Sequence, residues 1–423
     1  MPWRLTDEQR ELREQIRQFA VGTVRPRMLE VDETCDYPFD VHQALADEGY
    51  LGLGIPEEYG GRGADSVSFG AYVEELAKVS ATASLMAAYV KLTALPIMLA
   101  GDKEQKRRFL PPLASGEQLG SYALTEPGVG SDPGAMQTRA ERQGDRWVLN
   151  GEKRFIGNSG ISNIYVVFAR TGDPGPHGIS AFVVPGDAPG VSVTRLRTMG
   201  MPGWRLGAPR FENVEVPDEN LLGQEGDGFK IAMRTFDHSR PTVASQSVGV
   251  AQGAVDLALE YSLRRHSFGE PLFSHQAIEF KLAELEAEIA AARALAYQAA
   301  TFVDESNERM TKISASAKMF ASNVAMRATT EAVQVLGGNG YLREFPAERM
   351  MRDAKVLQIY EGANEIQALV IARQMLKQAQ HRDPIWPEAM PGAEGIADGR
   401  AAPSPSEQEG GAEAQQPAGA MAG

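Results

Sequence analysis

Arg146-Trp147-Val148-Leu149-Asn150-Gly151-Glu152-Lys153-Arg154-Phe155-Ile156 decides the architecture, because it breaks into a chain otherwise patterned for helices. Its two arms carry the aromatic and β-branched residues of strands, and Asn-Gly between them is the strongest short signal for a two-residue turn. The expectation is a hairpin turning at Asn150-Gly151. Residues 164–169, 179–184, 191–196 and 210–216 are of the same kind, short runs separated by turn-forming stretches.

Helical patterning lies on both sides. Thr6 and Gln9 have the spacing of a capping box, and Leu12, Ile16 and Phe19 continue one helical face. Amphipathic runs at 40–48, 66–79, 81–99 and 102–113 follow. After residue 229 the helical period returns, with runs at about 230–264, 275–304, 310–336, 346–357 and 365–379. Strands gathered in the middle do not give the alternation of a doubly wound sheet. The reading is α+β: an N-terminal helical domain (1–115), a middle antiparallel β domain (116–224), a C-terminal four-helix bundle domain (225–380), and a tail (381–423).

The 423 residues carry a net charge of −14. From residue 383 onward seven acids face only Arg400, so this stretch holds −6 and the remainder −8. Such a balance argues against nucleic acid as a partner, and the tail, rich in Pro, Gly, Ala and Gln, reads as disordered. No run of roughly 18–20 uninterrupted apolar residues predicts a membrane span, and no signal peptide precedes the first capped helix, so the expected location is cytoplasmic. A lone cysteine, Cys35, excludes an intramolecular disulfide framework. The GxGxxG, GxxxxGK, HExxH and CxxC patterns are absent, so no metal site is expected.

Three segments could carry chemistry. Gln358-Ile359-Tyr360-Glu361-Gly362-Ala363-Asn364-Glu365-Ile366-Gln367 sets one carboxylate, Glu361, in a break between two helical runs, with Asn364 and Gln367 spaced as N-cap and capping box. Glu361 is either a solvated helix terminus or a base poised between a helix N-terminus, which favours its anion, and apolar walls, which oppose it. Tyr122-Ala123-Leu124-Thr125-Glu126-Pro127-Gly128-Val129-Gly130-Ser131-Asp132 is an ordinary Pro-Gly loop or a cradle of hydroxyls and N–H groups. Gln334-Val335-Leu336-Gly337-Gly338-Asn339-Gly340-Tyr341 has more glycine than a helix cap needs, which points to close approach by another group.

Taken in order with Asn150-Gly151-Glu152-Lys153, Arg265-His266-Ser267-Phe268-Gly269 and Arg352-Asp353, these segments resemble the acyl-CoA dehydrogenase family over about residues 5–380. The resemblance implies FAD, an acyl-CoA substrate and α,β-dehydrogenation to a trans-2-enoyl-CoA, with Glu361 removing the α-proton while hydride leaves the β-carbon for flavin N5. It implies that Tyr122, Leu124, Thr125, Gly130, Ser131, Phe155, Gly157, Arg265, Ser267, Phe268, Ala363 and Glu365 contact FAD. Gln334, Gly337 and Gly338 would contact the FAD of a neighbouring subunit, so a homodimer or homotetramer is expected. Ser131, Asp237, Arg240 and Gly362 would lie on the substrate side; without the resemblance, Asp237 and Arg240 read equally as a solvated helix face. Some relatives carry the base at the position of Ser239, where serine cannot do that work.

The chain also departs from the family pattern. Phe155-Ile156-Gly157 stands where Trp-Ile-Thr is common, so Gly157 offers only a backbone N–H to the flavin N5 and O4 edge. Ala363 replaces a common Thr, and Val129 a small residue. The expected electron acceptor is an electron-transferring flavoprotein; the alternatives are an oxidase that passes electrons to oxygen, and a non-catalytic flavin-binding scaffold. Leu85, Met86, Tyr89 and Val90 are either acyl-pocket walls or core, and no arginine on their helix would pair a second carboxylate, which disfavours glutaryl-type substrates.

Overall fold

The computed structural model describes residues 5–380, and the acidic tail expected at 381–423 lies outside them. The described residues up to Ala372 form one compact unit. It begins with α1 (Asp7–Phe19), α2 (Met28–Thr34), α3 (Phe39–Asp47), α4 (Ser66–Val79), α5 (Ala81–Ala100) and α6 (Lys103–Ala114). Thr6 and Gln9 form the expected capping box on α1, and Asp102 and Gln105 form another on α6, so side chains satisfy N–H groups that a helix start leaves open.

The central sheet is built from β1 (Gly120–Ala123), β2 (Arg139–Gln143), β3 (Arg146–Glu152), β4 (Ile156–Gly157), β5 (Ile164–Arg170), β6 (Ile179–Pro185), β7 (Val191–Arg195), β8 (Leu206–Pro217) and β9 (Leu221–Leu222). Its order is β4-β8-β3-β2-β5-β6-β9, with β1 beside β5 and β7 beside β8. Neighbours run antiparallel except at β5, which β1 joins in parallel and β2 meets at Arg139 and Arg170. A small ribbon, β10 (His266–Ser267) and β11 (Glu270–Pro271), follows α7 (Gly228–Arg264). The chain continues through α8 (Gln276–Asp304), α9 (Met310–Leu336), α10 (Pro346–Leu357) and α11 (Asn364–Ala379).

Period-two alternation explains how the sheet sits between two cores. On β5, Ile164, Val166 and Phe168 pack into the large core shared with the helices, whereas Tyr165, Val167 and Ala169 pack with Trp147, Phe182 and Phe211 on the other face. Burial on both faces makes β5 a continuous apolar run rather than an alternating one. Among the helices, fully buried Glu74 on α4 accepts from Arg293 Nε and the Tyr297 hydroxyl of α8, each at 2.9 Å, and pairs with Arg13 of α1. A buried carboxylate is tolerable when so fully bonded. Helix α5 is long and apolar enough to cross a membrane, but 78% of that window is buried inside the protein, as expected of a core helix.

The hairpin does not turn at Asn150-Gly151. β3 runs through both residues, and its hairpin partner is β2, reached through Gly144 (φ +65°) and Asp145. Asn150-Gly151 instead forms an irregularity against β8, where the register slips between Leu149 and Gly151. Opposite, Asn213 adopts φ +51° and its N–H donates to Asn150 Oδ1 at 2.8 Å. A Cβ on Gly151 would stand 2.7 Å from Thr138 Cα, so glycine serves a close approach there. Residues that tolerate unusual backbone suit a bulge as well as a turn.

Candidate active site

Glu361 lies between α10 and α11 with φ +52°, followed by Gly362 at φ +94°. A non-glycine residue in this region persists only where its surroundings hold it. Here Gln367 Nε2 donates to the carbonyls of Glu361 (3.2 Å) and Gly362 (2.8 Å), and Lys318 Nζ donates to Gly362 O and Asn364 Oδ1, both at 2.9 Å. Arg240 Nε reaches the Glu361 carbonyl at 3.4 Å, and the Tyr360 hydroxyl donates to Gln246. The expected Asn364/Gln367 capping box is therefore not made. Asn364 begins α11, but its carboxamide meets Lys318 and Ser322, while the Gln367 amide secures the turn ahead of the helix.

The Glu361 carboxylate is half-buried, and Ser239 Oγ of α7 donates to its Oε2. Burial pushes the carboxyl above its ordinary range, while the Ser239 hydroxyl and the charges of Arg240 and Lys318 pull it back. Buried Arg240 is paired with Asp237 at 3.0 Å, and the other Asp237 oxygen accepts from Thr311 Oγ1 at 2.7 Å. Burial also lowers Lys318 to about 8, opposed by the nearby Glu361 charge. Among the described residues, none accepts from the Glu361 backbone N–H. A proton acceptor thus stands next to an uncommitted donor.

Tyr122 closes one side of this region. Its ring packs against Phe168 (5.0 Å) and Phe236 (5.6 Å), the latter on the helix that carries Ser239, and its buried hydroxyl has no hydrogen-bond partner. The following loop owes its shape to a buried ion pair that the sequence reading left without a role. Lys153 Nζ donates to Glu126 Oε1 at 2.8 Å and to Leu124 O at 3.0 Å, and Glu126 also accepts the N–H groups of Gln137 and Thr138. With Glu126 fixed, Pro127-Gly128 turns between the mutual hydrogen bonds of Glu126 and Val129. Gly128 and Gly130 have no atom within 4 Å of an added Cβ, so bare backbone faces outward.

The structure draws Tyr122, Asp237, Arg240, Glu361 and Gly362 around one point. Leu124 is buried and Thr125 half-buried, while Ser131 is exposed; Gly157 is buried on β4 and Phe155 (φ +59°) is 58% exposed. Arg265, Ser267 and Phe268 gather beyond the end of α7, with Phe268 97% exposed. Gln334, Gly337 and Gly338 are exposed beside that end, linked to it by Asn339 Nδ2 donating to the Tyr261 hydroxyl at 2.9 Å. No described contact joins these two segments to the Glu361 cluster. Ala363 is half-buried and Glu365 exposed on α11.

Several polar residues of the site escaped the sequence reading. Lys318 and Gln246 are buried and, with Gln367, hold the Glu361 turn. The available signal was a lone cation at helical spacing among Ala315, Ala321 and Ala325, where a charge is kept only if it is bonded. The donor set suits a flavin: an orphaned buried phenol at Tyr122, an exposed aromatic face at Phe155, and a glycine loop open to a polar group.

Comparison with known proteins agrees with this geometry. Family models described as acyl-CoA dehydrogenase N-terminal, middle and C-terminal domains match residues 6–117, 121–214 and 226–376. An acyl-CoA dehydrogenase of Bacillus subtilis is 42% identical over 377 residues, covering 88% of this chain and 99% of the relative. Among solved structures, butyryl-CoA dehydrogenase from Megasphaera elsdenii superposes with a TM-score of 0.86 at 42% identity, covering 88% of this chain and 99% of that one. The prolyl acyl carrier protein oxidase AnaB does so with 0.85 at 28%, covering 88% and 100%. The chain belongs to the acyl-CoA dehydrogenase family. It is an oxidoreductase of a flavoprotein family, and an acyl-CoA substrate fits that family.

Proposed function

We propose that this protein converts an acyl-CoA thioester to its trans-2-enoyl-CoA with Glu361 as the base. The observation that carries the reading is a half-buried carboxylate, pushed up by burial, on a turn held by Gln367, Lys318 and Arg240. An α-proton of a thioester is very weakly acidic, so a base of raised basicity must act together with donors to the carbonyl oxygen where charge develops. The uncommitted Glu361 N–H supplies such a donor beside the carboxylate. Ser239 and Arg240 oppose that rise and favour the carboxylate's charged form.

FAD would be held by Tyr122, Leu124, Thr125, Gly130, Ser131, Phe155, Ala363 and Glu365, with Gly157 lining the flavin edge, its own N–H bonded to Tyr89. Arg265, Ser267 and Phe268 would complete its site, with Gln334, Gly337 and Gly338 serving the FAD of a second subunit in a homodimer or homotetramer. When bound, the flavin supplies the hydride acceptor. Asp237, Arg240, Gly362 and Ser131 would face the thioester. An electron-transferring flavoprotein is the proposed acceptor.

Oxygen is the second reading of the acceptor, because Gly157 carries no hydroxyl and an oxidase shares this fold. Turnover with a panel of straight, branched and ring-bearing acyl-CoAs tests both readings. The dehydrogenase reading expects enoyl-CoA formation that needs an added acceptor. Rapid hydrogen peroxide release in air without one supports the oxidase instead, and no enoyl product from any thioester overturns both.

A further inference from the structure

Gly157 is glycine because two rings from elsewhere fill the space its side chain would need. A Cβ there would lie 2.7 Å from Tyr89 Cζ and 2.8 Å from Trp204 Cζ2. The two rings meet edge-on, with centroids 5.0 Å apart. Trp204 is held in place through its own loop: its N–H donates to Met201 O at 2.9 Å, and the Met201 N–H donates to buried Asp353 of α10. Tyr89 is anchored in α5 and is 8% exposed.

The Tyr89 hydroxyl takes the backbone donors of this neighbourhood. It accepts the Gly157 N–H at 3.0 Å and the Tyr122 N–H at 3.4 Å. The Gly157 N–H expected at the flavin edge is already committed to the Tyr89 hydroxyl. Among the described residues, none accepts the proton of the Tyr89 hydroxyl. A phenol that receives two N–H bonds and is almost wholly buried needs a partner for its remaining donor.

We propose that the Tyr89 hydroxyl is the donor to the polar edge of the flavin ring, delivered from α5 in place of a side-chain hydroxyl on residue 157. Gly157 and Tyr89 then form one device, with Trp204 only filling the remaining space at residue 157. Two N–H groups aimed at the phenol oxygen strengthen the O–H as a donor, because successive hydrogen bonds polarise one another. A donor at this edge favours the reduced flavin, which carries more electron density than the oxidised ring. The proposal rests on the flavin reading above.

The test uses the FAD-loaded full chain and its Tyr89→Phe variant, which keeps the ring and removes one oxygen, with Trp204→Phe as a control that keeps the hydroxyl. Midpoint potential is read by equilibration with reference dyes, alongside the visible spectrum of the bound flavin, and thermal unfolding verifies that each variant is folded. Tyr89→Phe should lower the preference for reduced flavin about tenfold, a fall of about 30 mV for a two-electron couple, and shift the spectrum. Trp204→Phe should change the potential by much less. If wild type binds FAD and is bleached by an acyl-CoA while Tyr89→Phe matches it in potential and spectrum, Tyr89 has no such role and the flavin reading stands. If wild type retains no FAD, both fail.

Discussion

Ser239 Oγ donates a hydrogen bond to Glu361 Oε2 across 122 positions of sequence. The α7 hydroxyl thus steadies the carboxylate on the turn between α10 and α11. Burial raises the Glu361 carboxyl, and the hydroxyl is the first of the groups that lower it again. Ser239→Ala removes that support, so the Glu361 pKa should rise further. If the carboxylate is the base, as proposed, rate is lost as pH falls through this raised pKa, and the acid limb of the flavin-reduction profile should move to higher pH in the variant. Stopped-flow reduction without air measures it; an unmoved acid limb counts against the arrangement.

The loop after β1 depends on Lys153. Its ammonium is fully buried against Glu126, itself 4% exposed. Lys153→Met leaves a buried carboxylate without its counter-charge, which should cost about 3–5 kcal/mol. Urea unfolding checks the value, and a loss under about 1 kcal/mol would mean that the pair is not what shapes the loop.

Gly157 tolerates no side chain. Gly157→Ala forces a methyl into the Tyr89 and Trp204 rings, an overpacking worth about 1–3 kcal/mol. Adding Trp204→Leu should recover part of that loss. A double-mutant cycle on unfolding free energies reads the coupling, and strict additivity would show that the rings do not meet residue 157 as described.

Asp353 gives stability a pH signature. Burial pushes its carboxyl from the ordinary 3.8 up to about 6, with the Met201 N–H opposing. The folded state therefore holds this proton more tightly than the unfolded chain, so the contribution is complete below about pH 4 and lost as pH rises through about 6. Asp353→Asn can keep an acceptor for the Met201 N–H and does not titrate. Its stability relative to wild type should grow by up to ~3 kcal/mol between about pH 4 and pH 7. Denaturant unfolding at the two values decides, and a constant difference contradicts the assignment.

What could be read in advance follows the range of the interactions. Helices such as α4, α9 and α10 were legible to the residue because their apolar spacing and their boundary residues, Asp65 capping α4, Gly337 closing α9 and Pro346 opening α10, are local. Asn150-Gly151 misled because a bulge and a turn ask the same backbone freedom, and which one forms depends on β8, about 60 residues downstream. Glu361 stood out as a carboxylate in a helix break. Its holders did not, since Gln246 meets Tyr360 across 114 positions and Lys318 meets Gly362 across 44. Tyr89 read as an apolar wall or core residue, and only the fold brings its hydroxyl to Gly157, 68 positions away.

The most direct test of the central claim is anaerobic flavin reduction in Glu361→Gln, loaded with FAD to the same extent as wild type and mixed with an acyl-CoA that bleaches the wild-type flavin. Glutamine preserves size and hydrogen bonding but cannot take the α-proton, so the rate should fall by on the order of 10²–10⁴-fold while the thioester still binds. Bleaching of Glu361→Gln at the wild-type rate would contradict the account.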